Sequence, residues 1–524
     1  MDAGNDRAGL AHWPADTSTP LIEGSAADLL RLRAATRGQE AAILVPTADH
    51  RLEPITYGQL LDHAETCARW LLDHVQPGER VAIWSRNALE SVILQHASGL
   101  AGTVLAHFNT AWADGEVAHA LALVEPGLLF VGVDGRGQPL GERARALASC
   151  PVLDLASVFS LRAAGPDRPL PAPRAEDPYL IQFTSGTTGR SKGALLSNRA
   201  AILGGWLRPR IDGADEQDIW LNSVPFHHLG GTCAVILGAL SVGGAFVMLE
   251  RYDPVQLAAL MGPSRATRMG GVPTMWYDLL GRGDLPDETH LRAITLGGAS
   301  VAPELVRRVR ERFGVESAIG FGQSECTIAT GTRLGDSDEV MTETVGRPMP
   351  HVEVKVVDPH SGRTLSFGEV GEIRVRGPTC MDRYWNNEKA TAEAFDAEGF
   401  LCTGDLGSMA ADGVCRIHGR IRELIIRGGE NIYPIEVEQA LLEHPAVAMA
   451  AVIGVDDARL GQAVAAVIQL RPGAAVEPRA LEAHAADFVA HYKVPRSWRF
   501  VEAMPMTASG KIRKVELQEM FAAS

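Results

Sequence analysis

The chain has 524 residues, of which 46% are hydrophobic and 22% charged, and a formal net charge of −15. That length exceeds what one simple core fills, so two or more domains are expected, and the composition is that of an ordered globular protein. The acidic balance disfavours a nucleic-acid partner, which rewards clustered Lys and Arg, but leaves room for a local cationic site.

The first 25 residues carry Asp2, Asp6, Arg7 and Asp16 and no apolar core of signal-peptide length. Cys67, Cys150, Cys233, Cys326, Cys380, Cys402 and Cys415 are scattered, odd in number and without a CxxC pair. They read as free thiols in a reducing compartment, and a cytoplasmic protein is expected. Leu60, Ala64, Cys67, Leu71 and Val75 fall on one stripe of a helix opening at Ile55-Thr56-Tyr57. Pro77-Gly78 ends it, Val81 to Trp84 reads as a buried strand, and a second helix starts near Asn87. Five prolines between Arg162 and Pro178 mark a surface connection.

That connection leads into Tyr179 to Phe183, a short apolar strand, and then into Thr184 to Gly193, TSGTTGRSKG. Gly186, Gly189 and Gly193 let the backbone fold tightly and turn amide N–H groups toward an anion. Thr184, Ser185, Thr187 and Thr188 add hydroxyls, and Arg190 and Lys192 add positive charge. The run is built for phosphate, yet it is not a Walker motif, because Lys192 lies between Ser191 and Gly193 instead of preceding Ser or Thr.

Further on, Pro225 to Gly231 pairs His227 and His228 with a glycine turn. Adjacent histidines point in different directions and no Asp, Glu or Cys stands at ligand spacing, so no metal site is implied. Thr232 to Leu249 is uncharged but broken by Gly238, Gly243 and Gly244, which reads as a buried helix and strand instead of a membrane span. Gly297-Gly298-Ala299 and Gly320-Phe321-Gly322-Gln323-Ser324-Glu325 each follow a strand, and ligands of α/β sheets bind at such carboxyl ends. Phe321 offers a ring for stacking and Glu325 an oxygen for a cation. Alternating strands and helices give an α/β body. Period-two strands at Val352 to Val357 and Glu372 to Val375 then announce a β-rich unit. After Gly419, the pattern of helix (Ile435 to Glu443), strand, strand and helix (Ala480 to Val489) predicts a small α+β domain, with the boundary at Arg420 to Glu423.

These motifs, from about Ile55 to Lys514, resemble in kind and order the adenylate-forming superfamily, which includes the acyl-CoA synthetases. The resemblance implies a large N-terminal adenylation domain (1–419) of α/β and β-rich subdomains, and a small mobile α+β domain (420–524). In that family Thr184 to Gly189 and Lys192 bind ATP phosphates, while Gly298, Ala299 and Gly320 to Glu325 bind the nucleotide. Asp405 and Arg420 match the ribose-binding pair. His228 falls beside the substrate carboxylate, Arg422 on the hinge, and Gly428-Gly429-Glu430 on the loop that meets CoA. Pro505 to Ile512 matches the loop of the catalytic lysine, here Lys511. Departures are His107 and Thr110, where prolines are usual, Ser191 for proline, His227 for an aromatic or aliphatic residue, Phe321 and Ser324 for tyrosine and threonine, and Arg422 for aspartate or lysine.

The implied reaction is ATP-dependent: an acid forms an acyl-adenylate with release of pyrophosphate, and CoA then takes the acyl group with release of AMP. Magnesium held near Thr184 and Glu325, together with Lys511, offsets charge in the first step. His228 to Val235, Gly271 to Met275, Gly297 to Ser300 and Gly320 to Gly322, which line the acyl pocket in relatives, contain no Lys, Arg, Asp or Glu. A fatty or aryl acid is therefore expected. An acyl carrier protein or another nucleophile is the alternative acceptor.

Overall fold

The structure, a computed structural model, describes residues 9–165, 167–184, 190–299, 301–457, 459–506 and 512–522. Thr56 caps the first predicted amphipathic helix, Tyr57–Leu72, through a reciprocal pair with Gln59. Leu60, Ala64, Cys67, Leu71 and Val75 are all buried. The stripe packs into a core shared with the helix Leu89–Ala101 and with the body of the molecule.

The described residues form four sheets. In a seven-stranded sheet, Pro178–Phe183 lies between Val104–Phe108, parallel to it, and Gly193–Ser197, antiparallel to it. A nine-stranded sheet sets Arg268–Gly271, Ala293–Gly297 and Ser317–Gln323 side by side in parallel, which aligns their carboxyl ends. A five-stranded sheet holds Glu353–Val357, Gly371–Arg376, Leu401–Met409 and Cys415–Arg420, as the period-two pattern predicts. The last sheet draws all its strands from 425–500, with Pro434–Leu442 and Pro478–Ala486 packed on it. The chain is thus a mixed α/β protein with a large N-terminal and a small C-terminal domain.

Thr232 to Leu249 contributes to the helices Gly230–Leu237 and Gly238–Val242 and to the strand Ala245–Val247. Among the described residues no helix is long and apolar enough to cross a membrane. One expectation shifts. Gly320 to Gln323 do not follow a strand but form its end, within Ser317–Gln323. Thr403-Gly404-Asp405 also lies inside a strand, Leu401–Met409. Glycines read as strand breakers locally, but an adjacent strand overrides that preference where it closes on bare backbone. A Cβ on Gly322 would stand 2.8 Å from the Thr327 carbonyl oxygen.

Candidate active site

The stem of the phosphate-type loop is fixed on both sides. Phe183 pairs with Gly193, and Thr184 N–H donates to the Lys192 carbonyl at 2.9 Å. Phe108 and Trp112 stack edge-on against Phe183 at 5.6 and 5.0 Å, holding the strand end from which the loop departs. Ser185, Gly186, Thr187, Thr188 and Gly189, the loop's centre, lie outside the described residues, as does Lys511. Met506 and Ile512, which flank the lysine segment, pair in an isolated antiparallel bridge. Three residues past the lysine, Lys514 bonds Glu423 at 3.1 Å and Glu438 at 2.7 Å. Burial alone works against both charges, but Glu438 and Glu423 outweigh it at Lys514 and keep its ammonium protonated above the ordinary lysine range. The C-terminal helix is thereby tied to the residue next to the expected hinge.

Glu325 sits in the turn between Ser317–Gln323 and Cys326–Gly331. Its carbonyl accepts Met381 N–H at 2.7 Å and its Oε1 accepts the Tyr384 hydroxyl at 2.6 Å. Lys192 Nζ lies 4.7 Å from the Tyr384 ring centroid, a cation–π arrangement. Ser324 Oγ donates to the Phe183 carbonyl at 3.4 Å, joining the Glu325 turn to the strand that ends at the loop. Tyr384 thus links a loop cation to the candidate metal carboxylate, and sequence reasoning missed it. Its position follows from the strand Arg383–Tyr384 pairing with Gly193–Ser197, and only a two-residue aromatic run, Tyr384-Trp385, hints at this in the sequence.

The two glycine clusters, far apart in sequence, meet. Gly297 is the register partner of Gly320, and a Cβ on Gly297 would lie 3.0 Å from the Gly320 carbonyl oxygen. Gly298 has φ +75°, a conformation that favours glycine, and it and Ala299 are exposed beside half-buried Phe321. Gln323 Nε2 reaches the Thr403 carbonyl at 3.4 Å, bringing the third sheet to the same edge. There Asp405, buried, pairs in register with Arg420 and accepts its Nε at 3.1 Å. Arg422 follows in the short turn Ile421–Glu423 that connects to the small domain's sheet. Burial, then the Arg420 charge, lowers the pKa of its guanidinium, while Asp405 and Glu325 lie near enough to act on it in the opposite sense. Asp405 and Arg420, the expected ribose pair, are therefore brought near Arg422, the expected hinge residue, and Glu325. Gly428 and Gly429, with φ +60° and +90°, make the tight turn between Ile425–Arg427 and Glu430–Ile432, and Gly428 N–H bonds Leu460 within the small domain.

His228 opens the helix Gly230–Leu237, its carbonyl accepting Gly231 N–H at 2.9 Å and Thr232 N–H at 3.1 Å. Asn87 clamps this turn, accepting Phe226 N–H at 2.8 Å and donating to the Val224 and Leu249 carbonyls at 3.0 Å. No group of three or more His, Cys, Asp or Glu suited to a metal ion occurs among the described residues. His107 and His227, two departures from the family pattern, lie close enough that charge on the first disfavours charge on the second. Each has a buried Nε2 without a hydrogen-bond partner. Burial pushes His107 down to about 3 and His96, also buried, to about 4, from 6.5. The unfolded chain therefore binds these protons first as pH falls. Their stability contribution is complete above about pH 6.5, declines below it, and is lost fully near the folded values. At pH 5.5 the pair is expected to cost about 3 kcal/mol relative to pH 7.5, at roughly 1.4 kcal/mol per pH unit for each. Denaturant midpoints across pH 5–8 measure it, and His107→Gln should shallow the slope.

Comparison with known proteins finds relatives along most of the chain. Residues 30–385 match the family model of AMP-binding enzymes, and residues 436–511 match that of the AMP-binding enzyme C-terminal domain. YngI of Bacillus subtilis is 33% identical over 95% of this chain and 97% of its own. The mitochondrial medium-chain acyl-CoA ligase ACSF2 of Danio rerio is 32% identical over 88% of this chain and 83% of its own. Among solved structures, ATP-bound MatB from Rhodopseudomonas palustris superposes with a TM-score of 0.85 at 28% identity, covering 95% of this chain and 99% of that one. The anthranilate CoA ligase AuaEII in complex with anthranoyl-AMP does so with 0.87 at 25% identity, covering 97% and 99%.

Proposed function

We propose that this chain, which belongs to the AMP-binding enzyme family and is an AMP-forming acyl-CoA synthetase with ATP and CoA as co-substrates, activates a carboxylic acid with an uncharged, largely apolar tail. The observation that carries the choice of acid is the register of three strand ends. Gly271 pairs with Leu296 and Gly297 with Gly320, so three of the uncharged segments expected to line the acyl pocket converge on one edge. A charged tail there would be desolvated without a partner, at a cost of several kcal/mol. The medium-chain acyl-CoA ligase and the anthranoyl-AMP complex among the similar proteins support the fatty and aryl arms respectively.

In this reading residues 1–419 are the adenylation domain and 420–524 the mobile domain. The acid's carboxylate oxygen attacks the α-phosphorus of ATP, and pyrophosphate leaves. Lys192 and the loop Thr184 to Gly189 hold the phosphates, and Lys511 offsets the charge that builds on them. Phe321, Gly298 and Ala299 face the adenine, Asp405 and Arg420 the ribose, and His228 the acid's carboxylate. Thr184 and Glu325 suit magnesium because both offer hard oxygen donors, and the Ser324 contact to Phe183 joins their two segments. Bound there, the ion would supply positive charge to phosphate oxygens. The Arg422 hinge then lets the Gly428-Gly429 turn and Glu430 approach, and the CoA thiol takes the acyl group while AMP leaves. We place the enzyme in a reducing, cytoplasmic compartment, in keeping with its seven free cysteines.

The test is mass spectrometry of products from ATP, magnesium, CoA and a pool of fatty, aryl, dicarboxylic and amino acids. Acyl-CoA and AMP from fatty or aryl acids are the expected result, and turnover confined to dicarboxylic or amino acids contradicts the reading. AMP or adenylate without a thioester would move the acceptor to a carrier-protein thiol or another nucleophile. Arg422→Pro, which restrains the hinge, is expected to spare ATP–pyrophosphate exchange and lower thioester formation about tenfold or more. Unchanged overall turnover in that variant would count against domain alternation.

A further inference from the structure

We propose that Cys326 and Cys380 are a redox modification site, closing to a reversible disulfide that displaces Glu325 and slows the ATP-dependent half-reaction. The two residues face each other in an isolated antiparallel bridge. Its flanking bonds run from Thr327 N–H to the Thr379 carbonyl, 2.9 Å, and from Met381 N–H to the Glu325 carbonyl, 2.7 Å. That pattern makes Cys326 and Cys380 a non-hydrogen-bonded pair, in which Cα atoms stand about 4.5 Å apart and side chains come closest. Disulfides span roughly 4.4–6.8 Å between Cα atoms, so the pair can close without rearranging the fold.

The surroundings single this pair out. The Thr379 hydroxyl lies 3.4 Å from Cys326 Sγ. Cys67, Cys233 and Cys415 are buried. Cys380 is only partly covered and lines a cavity of about 410 Å³ together with Arg199, Arg376, Asp382 and Phe395. Cys326 is buried and does not line that cavity, so a hydroperoxide entering it reaches Cys380 before Cys326.

The chemistry balances with that oxidant. The Cys380 sulfur attacks a peroxide oxygen, the O–O bond breaks, and the thiol proton leaves with the departing oxygen as water or alcohol, giving a sulfenic acid. The Cys326 sulfur then attacks Cys380 Sγ, the S–O bond breaks, and hydroxide takes up the remaining thiol proton as a second water. Two thiols have lost two electrons to the peroxide. Disulfides prefer Cα separations of about 5.5–6 Å, so closure spreads a bridge that starts at about 4.5 Å. The Met381 N–H bond that seats Glu325 lies in that bridge. The functional consequence rests on the reading of Glu325 as part of the ATP site.

The test is hydrogen peroxide treatment of the fully reduced protein, followed by a non-reducing peptide map and ATP–pyrophosphate exchange. A cross-linked peptide joining Cys326 to Cys380, lighter by two hydrogens, is expected. Exchange should fall about tenfold or more and return with dithiothreitol. Cys380→Ser should yield no such peptide and keep its exchange rate under the same peroxide. Absence of the cross-link, a cross-link with unchanged exchange, or a Cys380→Ser protein inactivated as fast as its parent would each overturn the proposal. The peptide map reads the disulfide without reference to catalysis, while Glu325→Gln in the reduced protein reads the role of Glu325, so the two can fail separately.

Discussion

Lys511→Ala is expected to lower adenylate formation about a hundredfold or more while leaving thioester formation from a supplied acyl-adenylate largely intact. The first half-reaction brings a carboxylate against a triphosphate and expels a more highly charged pyrophosphate, so a preorganised cation acts where charge accumulates. The second half-reaction releases only AMP and makes no comparable demand. The lysine's segment is closed by the Met506 to Ile512 bridge, and Lys514 beyond it is bound to Glu423 and Glu438. Replacing Lys511 leaves those anchors untouched. Both half-reactions, measured separately on the same preparation, check this. Equal loss in the two would remove the lysine from the assignment.

Glu325→Gln is the second large effect expected, again about a hundredfold or more in ATP–pyrophosphate exchange. The amide keeps the size of the side chain and can still accept from the Tyr384 hydroxyl, which now donates to Oε1 at 2.6 Å. What it loses is the negative charge that would hold a divalent cation. The variant should therefore require a higher magnesium concentration for half-maximal exchange, whereas a purely structural role would leave that requirement unchanged. Burial and then the Glu325 charge push the Tyr384 phenol far above its ordinary range, so the phenol keeps the proton that it donates to Glu325.

Much of this site was legible in the sequence because its parts lie on local patterns. An apolar strand running into Thr184 to Gly193 predicted a turn on the end of a strand, and Thr184 and Lys192 do close it. The amphipathic stripe from Leu60 to Val75 and the alternation in Val352 to Val357 are periodicities that packing obeys. Less legible was what pairing decides. Gly320 and Gly322 signal a break when read along the chain, yet the antiparallel strand Cys326–Gly331 draws them into Ser317–Gln323. Tyr384 has no local pattern of its own. It reaches Glu325 because Arg383–Tyr384 adds itself to the edge of the phosphate-loop hairpin, a contact between residues 59 apart in sequence. The Cys326–Cys380 bridge is hidden for the same reason, since seven scattered cysteines carry no spacing that tells which two will face each other.

The central claim is that the acid is activated as an acyl-adenylate, and isotope transfer tests it most directly. The acid turned over fastest in the product screen is labelled with oxygen-18 in its carboxylate and converted with ATP and CoA, and the phosphorus products are weighed. Attack of the carboxylate on the α-phosphorus predicts one labelled oxygen in AMP and none in pyrophosphate. Label in orthophosphate, with ADP as the nucleotide product, would mean an acyl phosphate and would contradict the account.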